Sequence, residues 1–440
     1  MDIRSLYQIF EKTPIINTDS RIDGRGGLFF ALTGPNFDGN KYAEEALKTN
    51  KYAIVDDPKI AVDKRYILVK NVLNTLQDLA QHHRDHFDIP IIAITGTNGK
   101  TTTKELIASI LSKKYKTYST QGNLNNHIGV PLSILGITAE HEFAVIEMGA
   151  SALGDIALLC AIAKPNYGII TNIGKAHLET FKSFENIQRT KGELYQYLYN
   201  RNGVAFVNSD NELLEDLRPP RKTVHYGTSK FTHCQGIIHD NPIFVDFSWV
   251  SVGDMSSDQK KINWDNDNQH ITTQLVGIHN FENALAAVCV GDYFEIDDIQ
   301  IKEAIESYTP QNNRSQYKKT ETNELIIDCY NANPSSMKLA ITNFNKIPSD
   351  NKVLILGEML ELGKFTQREH DVLAQLIEES GFRNVYLIGE NFSDISQKEV
   401  NIYATLNDFM VYLKENPITN STILIKGSRR VALENVIPFL

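Results

Sequence analysis

The chain is poor in cysteine, and its four cysteines form no recognisable pattern. Long stretches separate Cys160, Cys234, Cys289 and Cys329, and no C-x-x-C pair occurs. The sequence therefore indicates neither a zinc site nor a disulfide framework.

Long apolar runs are also absent. None approaches the ~20 residues that a membrane-spanning helix needs. The N-terminal stretch MDIRSLYQIF contains Asp2 and Arg4 and lacks an apolar signal core. We therefore expect no membrane span and a cytoplasmic location.

Positive charge is in deficit, since 44 Lys and Arg against 54 Asp and Glu give a net charge of −10. Non-specific nucleic-acid binding depends on positive charge, so we expect no nucleic-acid partner. A polyanionic substrate in a locally basic cleft is compatible with this balance. The 440 residues are enough for about three domains.

The string ITGTNGKTTT, residues 94–103, has the pattern of a phosphate-binding loop. The apolar run 89–94 predicts a buried strand before it, and a helix-compatible stretch follows Lys100 and Thr101. In such loops backbone N–H groups face an anion, the lysine reaches terminal phosphates, and the threonine hydroxyl can bind Mg²⁺. The form is the shorter G-x-x-G-K-T, because Ile94 replaces the first glycine of the common loop. A chance Gly-Lys-Thr turn is the alternative, but the context favours an ATP- or GTP-using enzyme.

Three zones differ in their pattern of strands and helices. Residues 1–85 predict a small α/β unit, and residues 86–310 predict a mainly parallel sheet covered by helices. Within the second zone, residues 228–275 alternate like strands and predict an antiparallel β insertion. Residues 311–440 predict a third α/β unit. The polar segment 81–88, QHHRDHFD, predicts a solvated helix end or linker, because nothing completes a metal site around its three histidines.

Polar residues follow several predicted strands of the second zone. Glu147 ends the run AVIE, where a carboxylate can hold Mg²⁺ beside the P-loop threonine, although a cap or salt bridge is the alternative. His177 and Glu179 lie in a predicted loop. For His177, the local sequence is equally compatible with binding a ligand and with a structural role. Lys191 lies on a predicted helix. Such a lysine is usually solvated, but a buried one deprotonates more easily.

Two further groups of residues are candidates for binding. The loop TQGNLNNHIGVPLS, residues 120–133, contains several asparagines that suit amide or phosphate recognition and equally suit plain turns. In the last zone, open α/β sheets bind ligands beyond the carboxyl ends of their strands. The residues at those ends are Asp328, Gly357, Glu358 and Lys426.

Together these strings resemble the Mur ligase family over nearly the whole chain. The resemblance is carried by ITGTNGKTTTKE, TQGNLNNHIGVPLS, VIEMGAS, TNIGKAHLE, KGELY, GIHNFENALAA, IIDCYNANPSSM, LGEMLELG and KGSRR. The short P-loop is the form of this family. DSR, residues 19–21, and LFFALTGPNFDG, residues 28–39, resemble its uridine-nucleotide-binding domain. The chain departs from the family at Cys329, where a small polar residue is expected, and before Arg314, where a glycine is expected.

The resemblance implies an α/β protein of three domains. These are a small N-terminal domain for the uridine-nucleotide substrate (1–85), a central P-loop domain for ATP (86–310), and a C-terminal Rossmann-like domain (311–440). The last domain is expected to bind the acceptor dipeptide and to close on ATP.

The implied activity is an ATP-dependent, ADP-forming ligation in peptidoglycan synthesis, through an acyl phosphate. The implied partners are UDP-N-acetylmuramoyl-tripeptide and D-alanyl-D-alanine, and a monomer is expected. Another Mur-superfamily amide ligase, or a folylpolyglutamate synthetase, is the nearest alternative. A P-loop NTPase used as a switch is an alternative from a different class.

The resemblance also implies individual roles. The residues expected to bind ATP are Gly96, Thr97, Asn98, Gly99, Lys100, Thr101, Thr102, Asn280, Asn283, Arg314 and Asp328. Those expected to hold a pair of Mg²⁺ ions are Thr101, Glu147, His177 and Lys191, with Lys191 matching a carbamylated lysine. Those expected to be catalytic are Lys100, His177 and Lys191. Those expected to contact the substrates are Ser20, Arg21, Asn123, Asn126, Asn331, Asn333 and Glu358.

Overall fold

The computed structural model describes residues 1–230, 232–251, 267–311, 313–392 and 400–440. Within these ranges the strands form a four-stranded sheet, a nine-stranded sheet, a six-stranded sheet and a two-stranded hairpin. The three larger sheets follow one another along the chain, each with its own helices. The three α/β domains expected from the sequence are therefore present.

The N-terminal domain has a parallel sheet of order β1-β2-β5-β6, with β3 and β4 as a separate hairpin. Its strands are β1 (Ile16–Asn17), β2 (Leu28–Phe30), β3 (Thr33–Gly34), β4 (Phe37–Asp38), β5 (Tyr52–Val55) and β6 (Tyr66–Leu68). Its helices are α1 (Ile3–Lys12), α2 (Ala43–Ala46) and α3 (Val72–Arg84). Helices α1 and α3 begin where the side chains of Asp2 and Asn71 accept bonds from first-turn N–H groups.

The helix end predicted at residues 81–88 is present, and Asp85 and His86 beyond it are exposed, but the last turn of the helix is not solvated as expected. Helix α3 continues to Arg84, and both His83 and Arg84 are buried. The Arg84 guanidinium donates to the carbonyl oxygens of Ala163 at 3.0 Å and Ile89 at 3.1 Å. The buried cation is stabilised because it satisfies carbonyls, and Ala163 lies 79 residues away along the chain, beyond the reach of a local pattern.

The central domain is built on the sheet of order β15-β14-β13-β12-β11-β10-β7-β9-β8. Its strands are β7 (Ile91–Thr95), β8 (Thr117–Ser119), β9 (Phe143–Glu147), β10 (Tyr167–Ile170), β11 (Val204–Asn208), β12 (Thr223–Gly227), β13 (Cys234–Ile238), β14 (Phe244–Ser251) and β15 (His270–Val276). Its helices are α4 (Lys100–Leu111), α5 (Gly129–Leu135), α6 (Asp155–Ala163), α7 (Leu178–Phe181), α8 (Phe184–Asn200), α9 (Glu212–Leu217), α10 (His279–Tyr293) and α11 (Asp298–Glu306).

The antiparallel pairing predicted for residues 228–275 is confirmed where the structure describes it. Strand β14 pairs antiparallel with β13 and with β15. Because β13 also pairs parallel with β12, this part extends the central sheet and is not a separate unit. Residues 231 and 252–266 of the segment lie outside the described residues.

Strand β7 is buried on both faces. Ile91 and Ala93 belong to one hydrophobic cluster, and Ile92 and Ile94 belong to the cluster on the opposite face. Side chains alternate along a strand, so a continuous apolar run is what a strand covered by helices on both sides requires. The P-loop therefore begins at the carboxyl end of an interior strand, which lies between β10 and β9.

The C-terminal domain has the sheet order β16-β17-β21-β18-β19-β20, in which only the edge strand β16 pairs antiparallel among the described strands. Its strands are β16 (Gln316–Lys319), β17 (Asn323–Ile327), β18 (Lys352–Gly357), β19 (Asn384–Ile388), β20 (Val400–Tyr403) and β21 (Ser421–Lys426). Its helices are α12 (Pro334–Lys346), α13 (Thr366–Glu379) and α14 (Leu406–Glu415).

Short 3₁₀ helices complete the secondary structure. They are Gly39–Tyr42, Asp267–Gln269, Gly363–Phe365, Glu390–Phe392, Arg429–Val431 and Leu433–Phe439. Of the helices that the structure describes, none combines the length and the apolar character that crossing a membrane requires.

Candidate active site

The P-loop is packed so closely that two of its positions admit only glycine. A Cβ at Gly96 would lie 2.0 Å from Thr171 Oγ1, and one at Gly99 would lie 2.4 Å from Asn283 Oδ1. Both glycines also have positive φ, +145° and +78°, which other residues rarely adopt. Gly99 precedes helix α4, so the loop turns directly into a helix N-terminus that can face an anion.

The ammonium of Lys100 lies within this loop. Its Nζ donates to the carbonyl oxygens of Gly96 at 2.8 Å and Thr97 at 3.0 Å. Burial lowers the pKa of Lys100, the nearby Arg314 cation lowers it further, and the Glu147 carboxylate opposes both effects. The cation is thus held at the position where the phosphates of a nucleotide would lie.

The carboxylate of Glu147 lies beside the P-loop threonine. Its Oε2 accepts from Thr101 Oγ1 at 2.9 Å, and its Oε1 accepts from Asn125 Nδ2 at 2.7 Å. Only 1% of Glu147 is exposed. Both groups that donate hydrogen bonds to this buried carboxylate are neutral. Its oxygens and the hydroxyl of Thr101 are ligands of the kind that Mg²⁺ prefers.

Lys191 is buried on helix α8, with 3% of its surface exposed. Among the described residues, none accepts a hydrogen bond from its amine. Burial lowers the pKa of Lys191 to about 7, and the positive charge of Lys100 contributes to the shift. A substantial fraction of this amine is therefore neutral near pH 7. A neutral amine can react with CO₂, so a buried amine that lines the same cavity as Glu147 is compatible with a carbamate.

His177 follows strand β10 and has a left-handed backbone, with φ of +49°. Its Nδ1 is hydrogen-bonded to the carboxylate of Glu361 in the C-terminal domain. The hydrogen bond from His177 lowers the pKa of Glu361. The imidazole therefore lies between the two domains, with a carboxylate as its present partner.

The C-terminal domain supplies several charged groups to the same region. The guanidinium of Arg314 stacks on the ring of Tyr330, 3.6 Å from its centroid. The carboxylate of Asp328 pairs with the buried ammonium of Lys426 at 2.6 Å. Both side chains line the same cavity as the P-loop.

Direct bonds join the C-terminal domain to the central domain. Asn333 Nδ2 donates to Asn98 Oδ1 in the P-loop at 3.0 Å. The ammonium of Lys175 pairs with the buried carboxylate of Glu369 at 2.9 Å. The domains therefore stand in contact around the nucleotide loop.

These groups line one cavity of about 540 Å³ between the two domains. Most of the predicted site residues lie on its wall. They are Gly96, Thr97, Asn98, Gly99, Lys100, Thr101, Thr102, Asn123, Asn126, Glu147, His177, Lys191, Asn280, Arg314, Asp328, Asn331 and Asn333. The wall also includes Lys426, which was a strand-end candidate, and charged or polar residues without a predicted role, among them Asn125, Asp155, His279, Tyr330 and Glu361.

Comparison with known proteins agrees with this geometry. The family described as "Mur ligase middle domain" matches residues 94–291, and "Mur ligase, glutamate ligase domain" matches residues 313–429.

The chain belongs to the Mur ligase family.

This Mur ligase has curated relatives along nearly its whole length. It is 32% identical to the UDP-N-acetylmuramoyl-tripeptide–D-alanyl-D-alanine ligase of Bacillus subtilis, over 97% of this chain and 93% of the relative. The enzyme of the same name from Escherichia coli is 29% identical, over 96% and 92% of the two chains.

Solved structures give the same family. MurF from Acinetobacter baumannii superposes with a TM-score of 0.84 at 27% identity, covering 96% of this Mur ligase and 92% of that chain. MurF from Thermotoga maritima, solved in complex with ADP, has a TM-score of 0.81 at 26% identity, with coverage of 97% and 96%.

Two predicted residues of the Mur ligase lie near the cavity but do not line it. Asn283 accepts from Thr103 Oγ1 at 3.1 Å and donates to Asn280 Oδ1 at 2.9 Å, so it braces helix α10 against helix α4. Glu358 accepts from Asn391 Nδ2 at 2.6 Å, within its own domain.

Two others lie in the N-terminal domain, away from the cavity. Arg21 is exposed and pairs with Asp19 at 2.6 Å. That arginine lowers the pKa of Asp19 to about 2. Ser20 lies between them, so the DSR string forms a surface turn on the N-terminal domain.

Signals for the unpredicted residues were present within known strings. Asn125 stands between the predicted Asn123 and Asn126, and Glu361 stands in the same LGEMLELG string as Glu358. Sequence order alone does not show which of several neighbouring side chains faces the cavity.

Proposed function

We propose that this Mur ligase joins D-alanyl-D-alanine to UDP-N-acetylmuramoyl-tripeptide, with cleavage of ATP to ADP and phosphate, to give the pentapeptide precursor of peptidoglycan. The observation that carries the proposal is the single cavity in which the P-loop, Glu147 and Lys191 meet Arg314 and Asp328 of the C-terminal domain. Eight relatives with this activity in their names align along 86–97% of this chain.

In this proposal ATP binds across the two domains. The P-loop amides and Lys100 hold the phosphates, while Asp328 takes the ribose and Arg314 reaches the nucleotide from the opposite side. Asn280 lies at the adenine, and Asn283 supports it from behind through their hydrogen bond.

The metal site consists of Thr101, Glu147, His177 and a carbamylated Lys191. Hydroxyl and carboxylate oxygens beside an amine that can become a carbamate fit Mg²⁺. When bound, the metal would neutralise charge as two anions approach each other. The Glu361 carboxylate pairs with Nδ1 of His177, which leaves Nε2 of the imidazole available to the metal.

The reaction proceeds through an acyl phosphate. A carboxylate oxygen of the tripeptide attacks the γ-phosphorus, and the bond to ADP breaks. The dipeptide ammonium gives one proton to solvent, and the resulting amine attacks the acyl carbon. Phosphate leaves with the C–O bond electrons and takes up the second proton, which the nitrogen loses as the amide forms. Lys100 offsets negative charge on the transferring group. Contact between the domains excludes water, which would otherwise hydrolyse the acyl phosphate.

Each domain has a distinct task in this proposal. Residues 1–85 bind the uridine nucleotide, with Ser20 and Arg21 among the contacts, and residues 86–310 bind ATP. Residues 311–440 bind the dipeptide through Asn331 and Asn333 and close on ATP. Asn123 and Asn126 contact the muramoyl substrate from the central domain. The enzyme works as a cytoplasmic monomer.

A substrate panel tests the proposal. The purified protein is incubated with ATP, Mg²⁺ and the UDP-muramoyl tripeptide carrying either lysine or diaminopimelate, with and without D-alanyl-D-alanine. We expect mass spectrometry to show the pentapeptide with at least one tripeptide. Ligation of single amino acids instead of the dipeptide would identify another amide ligase of the superfamily. ATP hydrolysis indifferent to every acceptor would identify an NTPase switch.

A further inference from the structure

Carboxylates on the cavity wall differ in how firmly they are held. Those from the described residues are Glu147, Asp155, Asp328 and Glu361. Glu147 accepts two short bonds from its own domain, and Asp155 accepts from two backbone amides at 2.8 Å. Asp328 is paired with a buried ammonium. The remaining carboxylate, Glu361, differs because its partner is a histidine of another domain.

The backbone fixes Glu361 at the seam between the domains. Its φ of +61° is left-handed, which is unusual for a glutamate. Its carbonyl oxygen accepts from the N–H of Glu179 across the seam at 3.2 Å. The side chain is 60% exposed and is directed at His177. The carboxylate is thus positioned by main-chain bonds while its charge stays accessible from the cavity.

The cavity otherwise offers little to a positively charged ligand. Its wall includes the cations of Lys100, Arg314 and Lys426. These suit phosphates and carboxylates. The acceptor of an amide ligase has an α-amino group, whose ordinary pKa is about 8, so much of it arrives as an ammonium at neutral pH. Such a group needs an anionic partner in the cavity.

We infer that Glu361 binds the ammonium group of the acceptor, which is D-alanyl-D-alanine if the proposed function holds. The carboxylate exchanges its bond with His177 for one with the incoming ammonium. The inference deepens the proposed function and rests on it, because it assigns the amine subsite of the same cavity.

The charge of Glu361 is tested with Glu361→Gln, which keeps the shape of the side chain. We expect the KM for D-alanyl-D-alanine to rise at least about tenfold, because a charge-assisted bond is replaced by a neutral one. The KM for ATP should change less than about twofold. Glu361→Asp, which keeps the charge, should raise the dipeptide KM less than Glu361→Gln does.

The chain provides a matched control in Glu379→Gln. Glu379 lies on helix α13 of the same domain, is exposed, accepts from Gln375 Nε2 at 2.8 Å and does not line the cavity. Its substitution should leave the dipeptide KM within about twofold of the wild type.

A neutral competitor separates ammonium binding from a structural role. N-acetyl-D-alanyl-D-alanine has no ammonium, so its inhibition constant should be the same for wild type and Glu361→Gln. Equal weakening of the acetylated and the free dipeptide would overturn the inference, because it would mean general damage to the site. The inference would also be overturned if turnover by the wild type depends on the dipeptide and Glu361→Gln has an unchanged KM for it. Wild-type turnover without any dependence on the dipeptide would instead overturn the proposed function.

Discussion

Asn333 of the C-terminal domain donates a hydrogen bond from Nδ2 to Oδ1 of Asn98, a residue of the P-loop, at 3.0 Å. The same asparagine caps helix α12, since its Oδ1 accepts from the N–H of Ser336. One side chain therefore both caps the first turn of a helix in the C-terminal domain and contacts the P-loop. The position of the C-terminal domain is coupled to the loop through this residue.

Substitutions at Asn333 should separate these two roles. Asn333→Ser keeps a capping oxygen but is too short to reach Asn98, so the melting temperature should stay near the wild-type value. Its kcat/KM for ATP should fall roughly 2- to 10-fold, as expected for losing one neutral hydrogen bond. Asn333→Ala should in addition lose about 1 kcal/mol of stability. Thermal unfolding and steady-state kinetics provide both readouts, and an unchanged kcat/KM in the serine variant would show that the contact has no part in nucleotide use.

Lys100→Ala should remove ligation while leaving the fold intact. Loss of one preorganised charge at a transferring group typically costs about 10²–10³-fold in rate, and the loop is accessible from the cavity rather than part of the core. Lys113→Ala is the matched control, since Lys113 pairs with Glu303 at the surface beyond the same helix. Near-wild-type turnover by a folded Lys100→Ala protein would refute the P-loop assignment.

Lys191→Met should inactivate the enzyme but stabilise the CO₂-free, unliganded protein. The folded-state pKa of Lys191, about 7, lies below the ordinary value of 10.5. Between these two pKa values the unfolded chain binds more protons than the folded protein, so the free energy of unfolding of the wild type increases with pH. Below about pH 7 the lysine is charged in both states, and the wild type carries the full cost of burying that charge. The advantage of Lys191→Met should therefore shrink from pH 7 to pH 10. Urea unfolding at several pH values measures this, and an advantage that does not change with pH would contradict the account.

Carbamylation makes a separate prediction at the same position. In Lys191→Ala, short carboxylates such as formate or acetate at roughly millimolar concentration should restore part of the activity by supplying the missing anion beside the metal. They should not rescue Lys100→Ala, whose missing group is a cation. Rescue of both variants, or full activity of Lys191→Ala without any addition, would argue against a carbamate ligand.

Asn125→Ala tests whether this residue positions the carboxylate of Glu147. Residues that orient a metal ligand typically contribute about 10- to 100-fold to metal affinity. We therefore expect the Mg²⁺ concentration for half-maximal activity to rise at least about tenfold, with recovery of kcat at high Mg²⁺. A Mg²⁺ dependence equal to that of the wild type would remove Asn125 from the site.

The strand, loop and helix around the P-loop were predictable because each depends on local sequence. A continuous apolar run gives a strand buried on both faces, and the glycines permit a turn that other residues cannot adopt. The contacts that complete the site depend on packing between distant segments. Asn125 and Glu147 are 22 residues apart, and their bond follows from how a loop folds over a strand end.

The choice between Glu358 and Glu361 shows the same limit. The rule that ligands bind beyond strand ends favours Glu358, which directly follows β18. The left-handed turn at Glu361 and its bond across the domain seam bring the later carboxylate to the cavity instead. Asn280 and Asn283 lie one helical turn apart, yet only the first lines the cavity. Sequence patterns identify the strings that contain such residues, but they do not show which side chains face the cavity.

Isotope transfer tests the central claim most directly. The terminal carboxylate of the UDP-muramoyl tripeptide is labelled with ¹⁸O, and the phosphate released during ligation with D-alanyl-D-alanine is analysed by mass spectrometry. If the carboxylate attacks the γ-phosphorus and the acyl phosphate is then opened by the dipeptide amine, each phosphate released should carry a carboxylate oxygen. Pentapeptide formation accompanied by unlabelled phosphate would contradict the account.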